Sequence, residues 1–381
     1  MTALLLVALA PAPSSAQGAF YTAAPREIAG RPGTLIRYEP MHGAPLGAAA
    51  YRVLYRSTGL NNRPIAVSGV VVIPPGPPPP GGRRIVAWAH PTSGIVPHCA
   101  PSLAHFVFQQ MQGLRELVAR GYVVAATDYP GLGTPGPHPY MVGVSEGRAV
   151  IDSVRAARQV PGANAGTRYA VWGHSQGGQA ALYTGLLARS YARELRLVGV
   201  AAAAPATDLR TLMIDDANTA GGRNLTAMAL WSWERVYGAP MERVVAPQAM
   251  PAVNRLAQEC IEGPLDIFLR GMTGRILRDH FLTVTNLPDL EPWRSLLRRN
   301  TPGPLPRGVP LFLAQGVADE VVRPPVTRAY MVRTCRNGGR VRFLSIPGGH
   351  GFAARDSAAA AVDWMADRFA GAPAPSDCGR S

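Results

Sequence analysis

The chain has 381 residues, 47% hydrophobic and 16% charged, enough for one large core or a core with an inserted subdomain. Its formal charge is +14, but lysine is absent and the arginines are scattered singly, with only doublets such as Arg83-Arg84 and Arg298-Arg299. A phosphate-tracking face clusters its charge, so nucleic acid is not expected as a partner, and with no recurring period of 20–50 residues neither is a solenoid or propeller.

The N-terminal stretch opens with an apolar run, Ala3–Ala10, followed by small residues; Ser14-Ser15-Ala16 resembles a signal-peptidase site with cleavage before Gln17. Residues 1–16 therefore read as an export signal and the mature protein as secreted, extracellular or periplasmic. No later stretch reaches 18 uninterrupted apolar residues, so no membrane helix is expected. Four cysteines, Cys99, Cys260, Cys335 and Cys378, suit two disulfides in an exported protein. Three pairings are open. No CxxC pair occurs, which argues against a structural zinc site, and no metal is expected.

Next come "TLIRYEPM", "AAAYRVLYRST" and "PIAVSGVVVIP", strands rich in Val, Ile and Tyr with no helices between them, hence an antiparallel edge. "PPGPPPPGG" is a surface loop, and "RRIVAWAH" a short apolar strand of the kind buried on both faces of a parallel sheet. A helical segment around 103–120 leads to strand "GYVVAATDY"; "SEGRAVIDSVRAARQV" is a helix with Val150, Val154 and Ala157 on one face. Strand "RYAVWG", helix "GGQAALYTGLLARSYA" and strand "LRLVGVAAAAP" follow. This alternation predicts βαβ crossovers and a mostly parallel sheet flanked by helices, an α/β fold. From 206 to 305 the rhythm breaks into helices and loops, "NLTAMALWSWERVYG", "MPAVNRLAQECI" and "PLDIFLRGMTGRILRDHF". Then "GVPLFLAQG", "GRVRFLSIPGG" and helix "DSAAAAVDWMADRF" restore the pattern. The expected organisation is a core over 17–205, a helical insertion over 206–305, and a second core part over 306–381.

Gly173-His174-Ser175-Gln176-Gly177 fits G-x-S-x-G between a strand and a helix. The bare pattern is weak; the strand-to-helix context is what the chemistry needs. A serine on so sharp a turn is crowded by strand and helix, and glycines two residues either side relieve that crowding. The turn lifts the hydroxyl to the sheet edge at a helix N-terminus, where negative charge is favoured. Ser175 is thus the candidate nucleophile, against an ordinary glycine-rich turn. In this fold the order is Ser, acid, His. His280 and His350 alone follow Ser175, and His280 sits inside the insertion, where a surface or packing role suits it. His350, in "SIPGGHGF", follows a strand and is the candidate general base. Asp319 in "VPLFLAQGVADEVV" is the candidate acid, with Glu320 as fallback; Asp208, Asp215 and Asp216 come too early. The Gln176 N–H and the "AWAHPTSG" loop at Thr92 are the expected oxyanion donors, with His90 shaping that loop; the rival reading is a simple strand cap. Asp128 and Tyr129, at the same sheet edge, are candidate pocket residues together with His90, against a structural turn.

Together, "WAHPTSG", "DYPGLGTPG", "GHSQGG", the helical insertion, "VADEVV" and "GGHGF" resemble the secretory lipase family of α/β-hydrolases, over roughly residues 35–370. The resemblance implies ester hydrolysis, no cofactor, and a helical cap over an acyl pocket. It further implies Ser175, Asp319 and His350 as a triad, Gln176 and the Thr92 loop as oxyanion donors, and disulfides Cys99–Cys260 and Cys335–Cys378. Met228, Trp231, Trp233, Met241, Met250, Phe268 and Met272 in the insertion suit either an apolar lid or the insertion's own core. The expected substrates are small-molecule or lipid esters, nitrophenyl esters among them, with transient contact to a lipid interface. A serine peptidase or aminopeptidase, an acyltransferase, and a non-catalytic binding protein are the alternative functions.

Overall fold

The computed structural model describes residues 15–217 and 219–379; the first fourteen residues of the expected export signal, and the side chain of Phe268, lie outside the described residues. Nine strands form one sheet: β1 (Leu35–Met41), β2 (Ala49–Thr58), β3 (Pro64–Ile73), β4 (Arg83–Ala89), β5 (Val123–Thr127), β6 (Ala165–His174), β7 (Arg196–Ala203), β8 (Leu311–Gly316) and β9 (Val341–Ile346). Their order is β1-β2-β3-β5-β4-β6-β7-β8-β9. The first three pair antiparallel, as short connections without helices dictate, and β3 meets β5 antiparallel. From β5 to β9 every pairing is parallel. The fold is that of an α/β-hydrolase.

Parallel strands need crossovers, and these are supplied by α1 (Leu114–Ala119), α2 (Gly143–Ala157), α3 (Gln176–Tyr191) and α9 (Pro324–Arg336), while α10 (Ala353–Ala370) follows the last strand and packs back on the sheet. Between β7 and β8 lie α4 (Leu209–Asp216), α5 (Ala220–Tyr237), α6 (Met250–Gln258), α7 (Pro264–Thr273) and α8 (Trp293–Asn300). The central strands are apolar on both faces because helices cover both: β5 is buried throughout, as are Tyr169–His174 of β6 and Gly199–Ala203 of β7. Val150, Val154 and Ala157 of α2 are all buried, as their common face requires.

Three expectations are corrected. The segment 103–120 is not one helix: the chain breaks at Gly113, whose φ of 82° admits no ordinary side chain, and only Leu114–Ala119 and a single turn at Val107–Gln110 are helical. α9 carries no strand-like alternation and was not expected; Pro324-Pro325 start it, where missing N–H groups are harmless, and Val326, Tyr330 and Met331 bury its inner face. α4 and α8 are likewise additions, each only eight residues long. Two disulfides, Cys99–Cys260 and Cys335–Cys378, tie the loop after β4 to the segment after α6, and α9 to the C-terminal tail.

Candidate active site

Ser175 follows β6, Asp319 follows β8 and His350 follows β9, and parallel pairing brings all three loops to one rim of the sheet. At the turn between β6 and α3, Ser175 has φ 56° and ψ −117°, a conformation that strains any residue but glycine. The flanking glycines explain how the turn closes. A Cβ on Gly177 would lie 1.9 Å from the Ala89 carbonyl oxygen, and one on Gly173 2.1 Å from that of Gly177. The turn is held by the Ser175 N–H donating to Ala203 O at 3.0 Å and the Gln179 N–H to Ser175 O at 3.1 Å. Such a strained serine, fixed from both sides, is the signature of a site where geometry matters more than local stability.

Asp319 is buried and accepts from the backbone N–H groups of Val321 and Val322 at 2.9 and 2.8 Å on one oxygen. Its other oxygen lies 3.0 Å from the Gln315 side-chain amide and 2.9 Å from His350 Nδ1. A carboxylate has no proton to give, so Nδ1 carries the hydrogen and Nε2 is left as an acceptor. Ser175 Oγ lies 2.8 Å from that Nε2. Hydroxyl, imidazole and carboxylate thus form one hydrogen-bonded chain, the arrangement that general-base activation of an alcohol requires. Glu320, the fallback acid, is exposed and outside this chain, and His280 is exposed in the insertion.

The Gln176 N–H is the first of α3 and has no acceptor within the helix. Thr92 stands one side chain from the cleft: its hydroxyl is 3.1 Å from that of Tyr140, and Tyr140 lines the cleft together with Ser175 and Gln176. His90, Asp128 and Tyr129 are not on that lining. All three are buried, and each is engaged elsewhere. His90 Nε2 is 3.2 Å from Asp128 O, Asp128 accepts from Ser68 Oγ and the Ser102 N–H, and the Tyr129 hydroxyl donates to His90 O at 3.1 Å. Burial pushes the His90 imidazole down to about 4, so it stays neutral, and pushes the Asp128 carboxyl upward against the hydrogen bonds from Ser102 and Ser68.

Four contributors escaped the sequence reading. His174, the x of the serine motif, is buried, and its Nε2–H donates to His350 O at 3.0 Å; its ring lies 5.0 Å from that of His350. Burial, then the neighbouring His350, lowers it to about 3, so it stays neutral while bracing His350. Gln315 accepts from the Thr327 hydroxyl and donates to Asp319. Beneath the turn, the Gln176 side-chain amide donates to Glu146 Oε1 at 2.8 Å and to His138 Nε2 at 3.0 Å, while His138 Nδ1 lies 2.8 Å from Pro130 O. Desolvation pushes the Glu146 carboxyl up to about 8 and the His138 imidazole down to about 3, so an uncharged network anchors the residue after the serine. A histidine inside the motif and a glutamate opening α2 were the available signals; nothing in their spacing tied them to Ser175.

The cleft has a volume of about 570 Å³, part of it open to solvent, and is walled mainly by apolar side chains of α4, α5 and α8, Leu212, Met213, Trp233 and Leu297 among them. Of the large insertion residues noted in the sequence, Trp233 reaches the cleft; Met228, Trp231 and Met241 are buried but do not line it, and Met272 is exposed. Among the described residues, the one His/Cys/acid group with spacing suited to a metal is His98 with Cys99 and Cys260. Its two sulfurs are bonded to each other, which leaves no thiolate for a cation.

A profile of the secretory lipase family matches residues 101–377. A secreted triacylglycerol lipase of Malassezia restricta is 27% identical over 340 residues, 82% of this chain and 65% of that protein. A trichothecene C-3 esterase of Fusarium sporotrichioides is 26% identical over 377 residues, 92% of this chain and 83% of its own. The chain thus spans slightly less than two thirds of the first relative's length. Among solved structures, Candida antarctica lipase A superposes with a TM-score of 0.79 at 20% identity, over 97% of this chain and 89% of that one, a likeness of fold.

Proposed function

This chain belongs to the secretory lipase family, and from that premise we propose that it is a secreted carboxylic ester hydrolase, lipase or esterase, working through an acyl-enzyme on Ser175. The observation that carries the reading is the pair of contacts at His350, 2.8 Å to Ser175 Oγ and 2.9 Å to Asp319.

In this mechanism Ser175 Oγ attacks the ester carbonyl as its proton passes to His350 Nε2. Asp319 holds the tautomer that makes Nε2 the acceptor and stabilises the imidazolium that forms. The carbonyl oxygen gains negative charge in the tetrahedral intermediate, and the Gln176 N–H with a donor from the Thr92 loop takes that charge. His350 then returns the proton to the departing alkoxide, releasing the alcohol and leaving the acyl group on Ser175. Water, deprotonated by the same imidazole, attacks the acyl-enzyme, and collapse of the second intermediate frees the carboxylic acid and restores Ser175.

Residues 206–305 serve as the cap: Leu209, Leu212, Met213, Leu225, Trp233 and Leu297 of the cleft wall all come from it. Such a wall suits the acyl chain of a small or lipid ester. Two disulfides and secreted relatives favour action outside the cytoplasm, in the medium or the periplasm. The experiment is turnover of 4-nitrophenyl esters of increasing acyl length by wild type and Ser175→Ala. Turnover by wild type, lost in the variant, is expected; preference for aminoacyl amides over esters points instead to a peptidase.

A further inference from the structure

We propose that the acyl cleft recognises chains that carry a hydroxyl group, and that Asp216 is the residue that reads it. The inference rests on the ester-hydrolase reading and names the substrate class of the same site. Beyond Ser175 and Gln176 the cleft is lined mainly by aliphatic and aromatic groups, yet Asp216 and Thr226 also line it. A third polar neighbour, the Tyr140 hydroxyl, is already engaged with Thr92.

Asp216 is 8% exposed, and its Oδ1 has no hydrogen-bond partner among the described residues. A buried carboxyl oxygen left idle is costly, and a cleft made only for alkyl chains gains nothing from it. No structural duty explains the side chain. Asp216 ends α4, but what the chain turn uses is its backbone carbonyl, which accepts the Thr219 N–H at 3.0 Å. The nearby cation, Arg323, is paired with Asp215 at 3.5 Å instead. Nor is the carboxyl free to swing out with its backbone: a Cβ on Gly222 would lie 2.4 Å from Asp216 Cα and Cβ, so the start of α5 presses directly on it. Burial, then Asp215, pushes the carboxyl up to about 7, with Arg323 opposing. Either protonation state can meet a hydroxyl, the carboxylate by accepting and the acid by accepting or donating. An unmodified alkyl chain at the same place leaves the carboxyl desolvated and unpaired. Asp216 is therefore a specificity-determining residue, and esters of hydroxyacids are the class it favours.

The test is kcat/KM for 4-nitrophenyl octanoate against its 3-hydroxy, 6-hydroxy and 8-hydroxy counterparts, in wild type, Asp216→Leu and Asp216→Asn. Wild type should turn over at least one hydroxylated ester about tenfold better than octanoate, the worth of one buried hydrogen bond. Asp216→Leu should lose that preference and gain on octanoate; Asp216→Asn, keeping size and hydrogen-bonding capacity, should retain part of it. If no hydroxylated ester exceeds octanoate in wild type, or if the ratio is the same in Asp216→Leu or, where that variant does not fold, is fully retained together with unchanged octanoate turnover in Asp216→Asn, the inference is overturned. Continued octanoate turnover in that event leaves the ester-hydrolase reading intact, whereas failure of wild type on every ester overturns both.

Discussion

At the sheet rim, Ser175, His350 and Asp319 are joined by contacts of 2.8 and 2.9 Å, and Asp319 is further held by two backbone N–H groups and Gln315. The cleft wall contributed by the insertion is built differently: Leu212, Met213, Trp233 and Leu297 meet there through shape alone, and the one carboxyl among them has an oxygen with no partner among the described residues. The rim is specified by direction, since a hydrogen bond fails within a fraction of an ångström. The wall is specified by volume, and cores tolerate volume-conserving exchange. Chemistry should therefore be brittle to substitution at the rim, and substrate choice should be adjustable in the wall.

The most damaging change should be Ser175→Ala, expected to lower kcat on 4-nitrophenyl butyrate by at least about 10⁴-fold, as loss of a nucleophile does, with the thermal melt unchanged. Gly177→Ala should follow: its methyl meets the Ala89 carbonyl at 1.9 Å, so the turn must shift, and kcat should drop about 10²-fold with a lower melting temperature. In the wall, Leu212→Trp should cut kcat/KM for octanoate roughly tenfold while sparing acetate. A loss on acetate as large as on octanoate would erase the distinction between rim and wall.

Reduction sharpens the contrast further. Cys99–Cys260 links the loop after β4 to the insertion, so dithiothreitol should lower the melting temperature, each disulfide being worth about 2–5 kcal/mol. A pH-dependent effect concerns Glu146, whose carboxyl burial raises from an ordinary 4.5 to about 8. Below about pH 4.5 folded and unfolded chains both hold this proton. Between that pH and about 8 the unfolded chain releases it and the folded chain does not, so stability falls as pH rises. Glu146→Gln keeps an acceptor for Gln176 and lacks the titration. Its melting temperature should gain on wild type from pH 5 to pH 8, and a difference independent of pH would show that this proton is not retained.

The nine strands were legible because each is a short, largely apolar run, most of them rich in Val, Ile or Ala, set between glycine, proline or polar loops. Gly173 and Gly177 betrayed the serine turn because backbone contact forbids any side chain there, a constraint that writes itself into residue identity. Helix α8 went unseen because its apolar residues, Trp293, Leu296 and Leu297, are diluted among three arginines in eight residues. His174, Gln315 and Glu146 were hidden for another reason: their partners are set by tertiary approach, such as the 2.8 Å contact from Gln176 to Glu146 across 30 residues, and no local period reports it. The same holds for the wall. His90, Asp128 and Tyr129 stand at the right sheet edge, but their mutual hydrogen bonds turn them inward, and the insertion lines the cleft in their place.

The central claim, that Ser175 is the nucleophile of an ester hydrolase, is tested most directly by trapping it. Incubation with a 4-nitrophenyl alkylphosphonate, followed by mass spectrometry of the proteolysed chain, should place one phosphonyl adduct on the peptide containing Ser175, with ester turnover lost in proportion. An unmodified Ser175 peptide in fully inhibited enzyme, or an adduct of equal extent in Ser175→Ala, would contradict it.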